Sequence, residues 1–206
     1  MKTTTEIIAR EGWKSIGISI IALILCWFFS WECLGFLATL VVLSLLYFYY
    51  NPERIPQDTA SDVIIAPLDA KITQIESQEE WIYLELKKPP CFCGLLRMPF
   101  EGNVKIVKNI KGLLGGNDNI SQKTTLEFKK DSEKTQLPIN SQIKMELYPS
   151  SSQYSFYFEN SSFKIIDRIG FFLQGKIKMY LPKKTELKVN VGDIIRGGSD
   201  ILGYLH

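Results

Sequence analysis

Histidine is nearly missing from this sequence. Of 206 residues only His206 is one, and it stands last. A Ser-His-Asp triad, a Cys-His dyad and a multi-histidine metal site within the chain are thereby excluded. Charge is missing from a long stretch: residues 16–50 hold one charged side chain, Glu32. Cysteine is scarce, with four in all. Cys26 and Cys33 fall in the apolar stretch, and Cys91 and Cys93 form a C-x-C pair. One such pair is half of a tetrahedral zinc site, so no metal is expected and the cysteines read as reduced thiols of a cytosolic domain. A large net charge is absent too. Twenty-four basic and 22 acidic residues leave +2, too balanced for a nucleic-acid binder working through bulk charge. A disordered acidic chain is excluded by 46% apolar and 12% aromatic residues.

What is there divides the chain in two. Two charge-free runs, 16–31 and 33–50, flank Glu32. One helix over the whole stretch would be about 52 Å long, against a hydrocarbon core of about 30 Å. The pattern therefore predicts a transmembrane helical hairpin over residues 1–50, turning near residues 31–35, with Glu32 at the far interface; each run is near the lower length limit for spanning, so a re-entrant loop is the alternative. Trp27 and Trp31 suit one interface, and Tyr47, Tyr49 and Tyr50 the other. Lys2, Arg10 and Lys14 before the hairpin and Arg54 after it place both ends, and the domain that follows, on the cytoplasmic side of the cell membrane.

Residues 51–206 carry 21 basic and 19 acidic side chains and read as a soluble domain. Asn51-Pro52-Glu53-Arg54-Ile55-Pro56 stops the second helix, because two prolines deny helical hydrogen bonds. Short β-rich segments follow at 63–66, 71–75, 81–86, 104–110, 125–128, 143–148, 154–158, 163–166, 169–172, 176–181 and 185–189, with a short apolar pair at 194–195. No long helical period appears. A mainly-β domain of barrel or sandwich type is predicted. The glycine-rich segment 111–117 lacks the Lys-Ser/Thr of a phosphate loop and reads as a connector.

Several segments, in this order and spacing, resemble the short, membrane-anchored form of phosphatidylserine decarboxylase. They are Arg10-Glu11-Gly12-Trp13, Asn51-Pro52-Glu53-Arg54-Ile55-Pro56, Ala66-Pro67-Leu68-Asp69-Ala70-Lys71-Ile72, Met98-Pro99-Phe100-Glu101, Tyr180-Leu181-Pro182 and 189–198. The resemblance implies an enzyme that makes phosphatidylethanolamine. In that family a serine after a glycine attacks its own backbone carbonyl, the chain splits, and the serine becomes an N-terminal pyruvoyl group that forms a Schiff base with the substrate amine. Nucleophile, base and orienting carboxylate divide the work as in a hydrolytic triad.

Carried over by position, the carboxylate falls on Asp69. The base position holds Asn103, whose amide accepts no proton at neutral pH. The Gly-Ser cleavage pair is replaced by Gln174 and Gly175. A pyruvoyl group needs a β-hydroxyl or thiol to eliminate, so no pyruvoyl cofactor is expected unless the chain somehow cleaves itself. The Gly-Ser dipeptide that does occur, Gly198-Ser199, sits in what reads as a turn. The resemblance thus implies a decarboxylase-like membrane protein without self-processing, which binds membrane phospholipid or partners an enzyme of phospholipid synthesis, and no nucleic acid. Lys176, Lys178, Lys183 and Lys184 form the candidate lipid-headgroup face, Lys176 and Lys178 pointing one way on a strand. A divergent active decarboxylase and a non-lipid membrane-anchored adaptor are the alternatives.

Overall fold

The computed structural model describes residues 7–56, 58, 60, 62–110, 122–130, 142–150, 153–158 and 160–205. The connector at 111–117 and His206 lie outside them. Contacts divide the chain into two compact units, Met1–Glu53 and Arg54–His206.

The first unit is a pair of helices, α1 (Trp13–Phe28) and α2 (Glu32–Phe48). The turn falls at 29–31, earlier than the 31–35 predicted. Ser30 takes a left-handed φ of 54°, and the Phe29 and Trp31 amides cap the Leu25 and Cys26 carbonyls. Glu32 therefore opens α2, where a carboxylate favours the positive end of the helix dipole. Gly35 is buried against α1, and a Cβ there would make only an ordinary contact, 3.6 Å from the Trp27 ring. At the other end the hairpin is tied shut. Ala9 N–H donates to Tyr49 O at 2.9 Å, Asn51 N–H donates to Ile7 O at 2.8 Å, and Ile8 bridges Tyr50. Gly12 admits the Tyr49 ring, whose Cγ would lie 2.4 Å from any Cβ. The helix Arg10–Phe28 is long and apolar enough to cross a membrane; α2, with 17 residues, is shorter.

The second unit is mainly β. Its strands are β1 (Val63–Ile65), β2 (Ala70–Ser77), β3 (Trp81–Lys88), β4 (Leu95–Arg97), β5 (Gly102–Ile110), β6 (Lys123–Lys130), β7 (Gln142–Pro149), β8 (Tyr154–Phe156), β9 (Asn160–Phe163), β10 (Arg168–Phe172), β11 (Gly175–Pro182), β12 (Glu186–Leu187), β13 (Ile194–Ile195) and β14 (Ile201–Tyr204). Eight form one antiparallel sheet in the order β13-β2-β3-β11-β7-β6-β5-β9. Two three-stranded sheets, β1-β14-β12 and β4-β10-β8, complete the unit.

Strand β11 shows why the sheet forms. Ile177, Met179 and Leu181 are buried, while Lys176, Lys178 and Tyr180 alternate to the other face. Its neighbours match: Leu84 and Leu86 on β3, and Met145 and Leu147 on β7, join the same core. Each such side chain contributes about 1.5–3 kcal/mol when fully buried. Strand β4 was not predicted. Its three residues are all buried and show no alternation, so no period of two marks them. The segment predicted at 163–166 is displaced, because β9 ends at Phe163 and Ile166 adopts a φ of 63° that a strand does not use.

Candidate functional site

The segment 66–70 runs buried between the end of β4 and the turn 197–200, and its backbone is satisfied from both sides. Ala66 N–H donates to Asp200 O at 2.8 Å, Gly198 N–H to Ala66 O at 2.8 Å, and Arg97 N–H to Pro67 O at 2.7 Å. Gly197 passes so close that a Cβ would sit 2.5 Å from the Leu68 Cα. Gly198 turns the chain with a φ of 78°. The Gly198-Ser199 dipeptide thus belongs to a tight turn. Ala70, where the family pattern has glycine, opens β2 without a positive φ.

Asp69 is the hub of this segment. Its Oδ1 accepts from the Gly197 N–H at 2.8 Å and from Arg54 Nη1; its Oδ2 accepts from Arg54 Nη2 at 2.7 Å. Arg54 Nη1 also donates to Gly197 O at 3.0 Å. The guanidinium therefore grips the carboxylate with two nitrogens, the strong arrangement for such a pair. Burial works to lower the Arg54 pKa, but hydrogen bonding and charge from Asp69 outweigh it, and the pKa rises. In the sequence Arg54 reads as a linker residue and a flanking cation of the hairpin; nothing local marks its partner 15 residues on.

A buried cation, Lys88, lies beside the expected cleavage position, opposite Gly175 in the sheet. Lys88 occupies the inward slot after Leu84 and Leu86 on β3 and is 2% exposed. Its ammonium donates to Leu173 O at 2.8 Å, Phe92 O at 2.9 Å and Pro89 O at 3.4 Å. Burial pushes its pKa down to about 8, opposed in part by the negative charge of Cys93, Asp69 and Cys91. A lysine where the strand's alternation demands an apolar residue was the available signal. Cys93 and Arg97 stand electrostatically near; burial pushes the Cys93 thiol up and the Arg97 guanidinium down.

Gln174 and Gly175 follow directly. Gln174 O accepts from Ser150 N–H at 3.1 Å. Gly175 opens β11 with a φ of 151°, and a Cβ on it would lie 2.3 Å from Tyr148 O. No L-residue occupies that space unless the backbone shifts. Asn103 lies on β5, exposed, paired with Lys129 and Ser162, and β7 and β6 intervene between β5 and β11 in the sheet.

The predicted basic face is mixed in charge. Lys176 pairs with Glu85 at 2.9 Å, and Lys178 lies 5.6 Å from both the Tyr83 and Tyr148 rings. Glu146 on the adjacent β7 holds Lys123 and Lys144 at 2.9 and 3.0 Å. Lys183 and Lys184 are exposed in the turn after β11.

Comparison with known proteins decides the family. A profile described as phosphatidylserine decarboxylase matches residues 43–203. The chain belongs to the phosphatidylserine decarboxylase family. A phosphatidylserine decarboxylase proenzyme of Desulfotalea psychrophila is 28% identical over 217 residues, covering 96% of each chain. That of Wolbachia pipientis wMel is 26% identical over 221 residues, covering 97% of this chain and 91% of its own. No solved structure matches. In this member of the decarboxylase family, the aspartate of the Pro-x-Asp stretch is engaged by a linker arginine.

Proposed function

We propose that this protein is a membrane-anchored phosphatidylserine decarboxylase homologue that does not process itself and does not decarboxylate. The observation that carries the proposal is Gly175. It offers no hydroxyl to attack the preceding carbonyl or to be eliminated, and its positive φ and contact with Tyr148 O disfavour any side chain. A pyruvoyl group does not fit the residues present, because glycine has no side chain to eliminate. Asn103 as a non-basic amide and Asp69 held by Arg54 support the same reading.

The hairpin 1–50 holds the chain in the cell membrane, and Lys2, Arg10, Lys14 and Arg54 orient the domain to the cytoplasm. What remains is a scaffold for phospholipid metabolism, contacting membrane phospholipid or an enzyme that makes it. Lys183 and Lys184 are the exposed cations best suited to anionic headgroups; Lys176 and Lys178 are partly engaged within the sheet.

Intact-mass measurement of the purified full chain tests the proposal. One unbroken species of 23.6 kDa is expected. Two fragments, one blocked by a keto-acyl terminus, would refute it.

A further inference from the structure

The two ends of the hairpin carry the residues that favour a membrane–water boundary. At the open end Trp13 and Lys14 are exposed on α1, and Tyr47 and Tyr50 are exposed at the end of α2. At the turn Trp27 and Trp31 are exposed, Phe29 stacks on Trp31 at 5.5 Å, and exposed Glu32 follows. Tryptophan and tyrosine collect at headgroup level, and a carboxylate avoids hydrocarbon. Between these two bands α1 exposes Ile18, Ile21 and Ile24, and α2 exposes Phe36, Leu40 and Leu43. The Ser19 and Thr39 hydroxyls donate to Ser15 O and Gly35 O, each at 2.9 Å, so their own helices satisfy them without water.

The bands stand close together. Trp13 to Trp27 is fourteen helical steps (27 − 13), and Glu32 to Tyr47 is fifteen (47 − 32). At about 1.5 Å per step both separations come to about 21–23 Å, against about 30 Å for an ordinary hydrocarbon core. The hairpin cannot lengthen to make up the difference. Its turn is closed at Ser30, and its open end is tied by the Ala9 to Tyr49 and Asn51 to Ile7 hydrogen bonds, at 2.9 and 2.8 Å. Tilting shortens its reach further. Stopping at the midplane would leave Glu32 and Trp31 in hydrocarbon.

We propose that the hairpin crosses the bilayer completely and that its lipid partner is a thin bilayer of short acyl chains, with a hydrocarbon core of about 21–23 Å. The inference rests on the reading of residues 1–50 as a membrane anchor. In a thicker membrane either the lipid compresses around the hairpin or one aromatic band sinks into hydrocarbon. Both are unfavourable, so the chain sorts to the thinner of two membranes.

Sided thiol labelling of the full-length protein tests this. Cys26→Ala, Cys91→Ala and Cys93→Ala leave Cys33, exposed beside the turn, as the one thiol. The variant is reconstituted in vesicles of dimyristoleoyl, dioleoyl or dierucoyl phosphatidylcholine, in order of increasing thickness. Added protease identifies the molecules whose β domain faces outward. In these a membrane-impermeant maleimide trapped in the lumen should label Cys33, and the same reagent outside should not. Lumenal labelling should fall about fivefold or more from dimyristoleoyl to dierucoyl vesicles. The unsubstituted chain, offered both of these vesicles together, should float with the thin ones in about fivefold or greater excess. Labelling from outside, lumenal labelling equal in all three lipids, or equal flotation with thin and thick vesicles would overturn the proposal and leave the anchor standing. A chain that floats with none of the vesicles after an alkaline wash would overturn the anchor and the proposal with it.

Discussion

Replacing Asp69 by asparagine separates a structural aspartate from a catalytic one. Asparagine keeps the shape and one acceptor for the Gly197 amide but removes the charge that Arg54 grips. The Asp69 and Arg54 side chains are only 12% and 17% exposed, so little water can replace the lost partner. Breaking a fully buried pair on one side costs about 3–5 kcal/mol, and an exposed pair is worth about 0–1 kcal/mol. This intermediate pair, with Gly197 hydrogen-bonded to both members, falls at about 2–3 kcal/mol. For a chain of this size about 1 kcal/mol lowers Tm by about 2–4 °C. Asp69→Asn and Arg54→Ala should each lower the Tm of the β domain by about 4–12 °C, followed by circular dichroism on the full chain. Arg54→Gln with Asp69→Asn leaves no unpaired charge, and should be less damaging than the two single changes summed. A Tm unchanged within about 1 °C in Asp69→Asn would refute the clasp and return Asp69 to the role of a spare functional carboxylate.

Three other outcomes follow from the same structure. Gly175→Ser should not restore self-cleavage, because the new Cβ meets Tyr148 O at 2.3 Å on a backbone of φ 151°; a cleaved product on a denaturing gel would contradict this. Lys88→Met should cost about 3 kcal/mol, since three partly buried carbonyls lose their donor, and protease susceptibility of the loop 89–93 should rise. Burial works to raise the Glu146 pKa, but hydrogen bonds from Lys123, Lys144 and Tyr148 outweigh it and leave the pKa low. A carboxylate with a depressed folded pKa contributes stability above its unfolded value of about 4.3, and loses it as pH falls through the folded value. Denaturant midpoints should therefore drop as pH falls below about 4.5, and Glu146→Gln should flatten that slope.

Gln174-Gly175 is where sequence and structure add different things. That Gln174-Gly175 lacks a hydroxyl is a statement about composition, complete without coordinates. That a serine would not fit is a statement about Tyr148 O, which reaches Gly175 only because β7 pairs with β11. The 94–97 region shows the opposite limit: β4 is buried throughout, and burial without alternation leaves no period to detect.

The sequence by itself determined the apolar hairpin, the break at the two prolines, and the inward face of β11. Each follows from a pattern among near neighbours, through helix length, lost amide donors and the alternation of a strand. Only the tertiary structure decided that Arg54 holds Asp69, that Gly197 serves them both from 128 residues beyond Asp69, and that Lys88 ties Leu173 across 85 residues. Those contacts join segments remote in the chain, and chain order carries no record of which remote groups meet until the sheets close on the core.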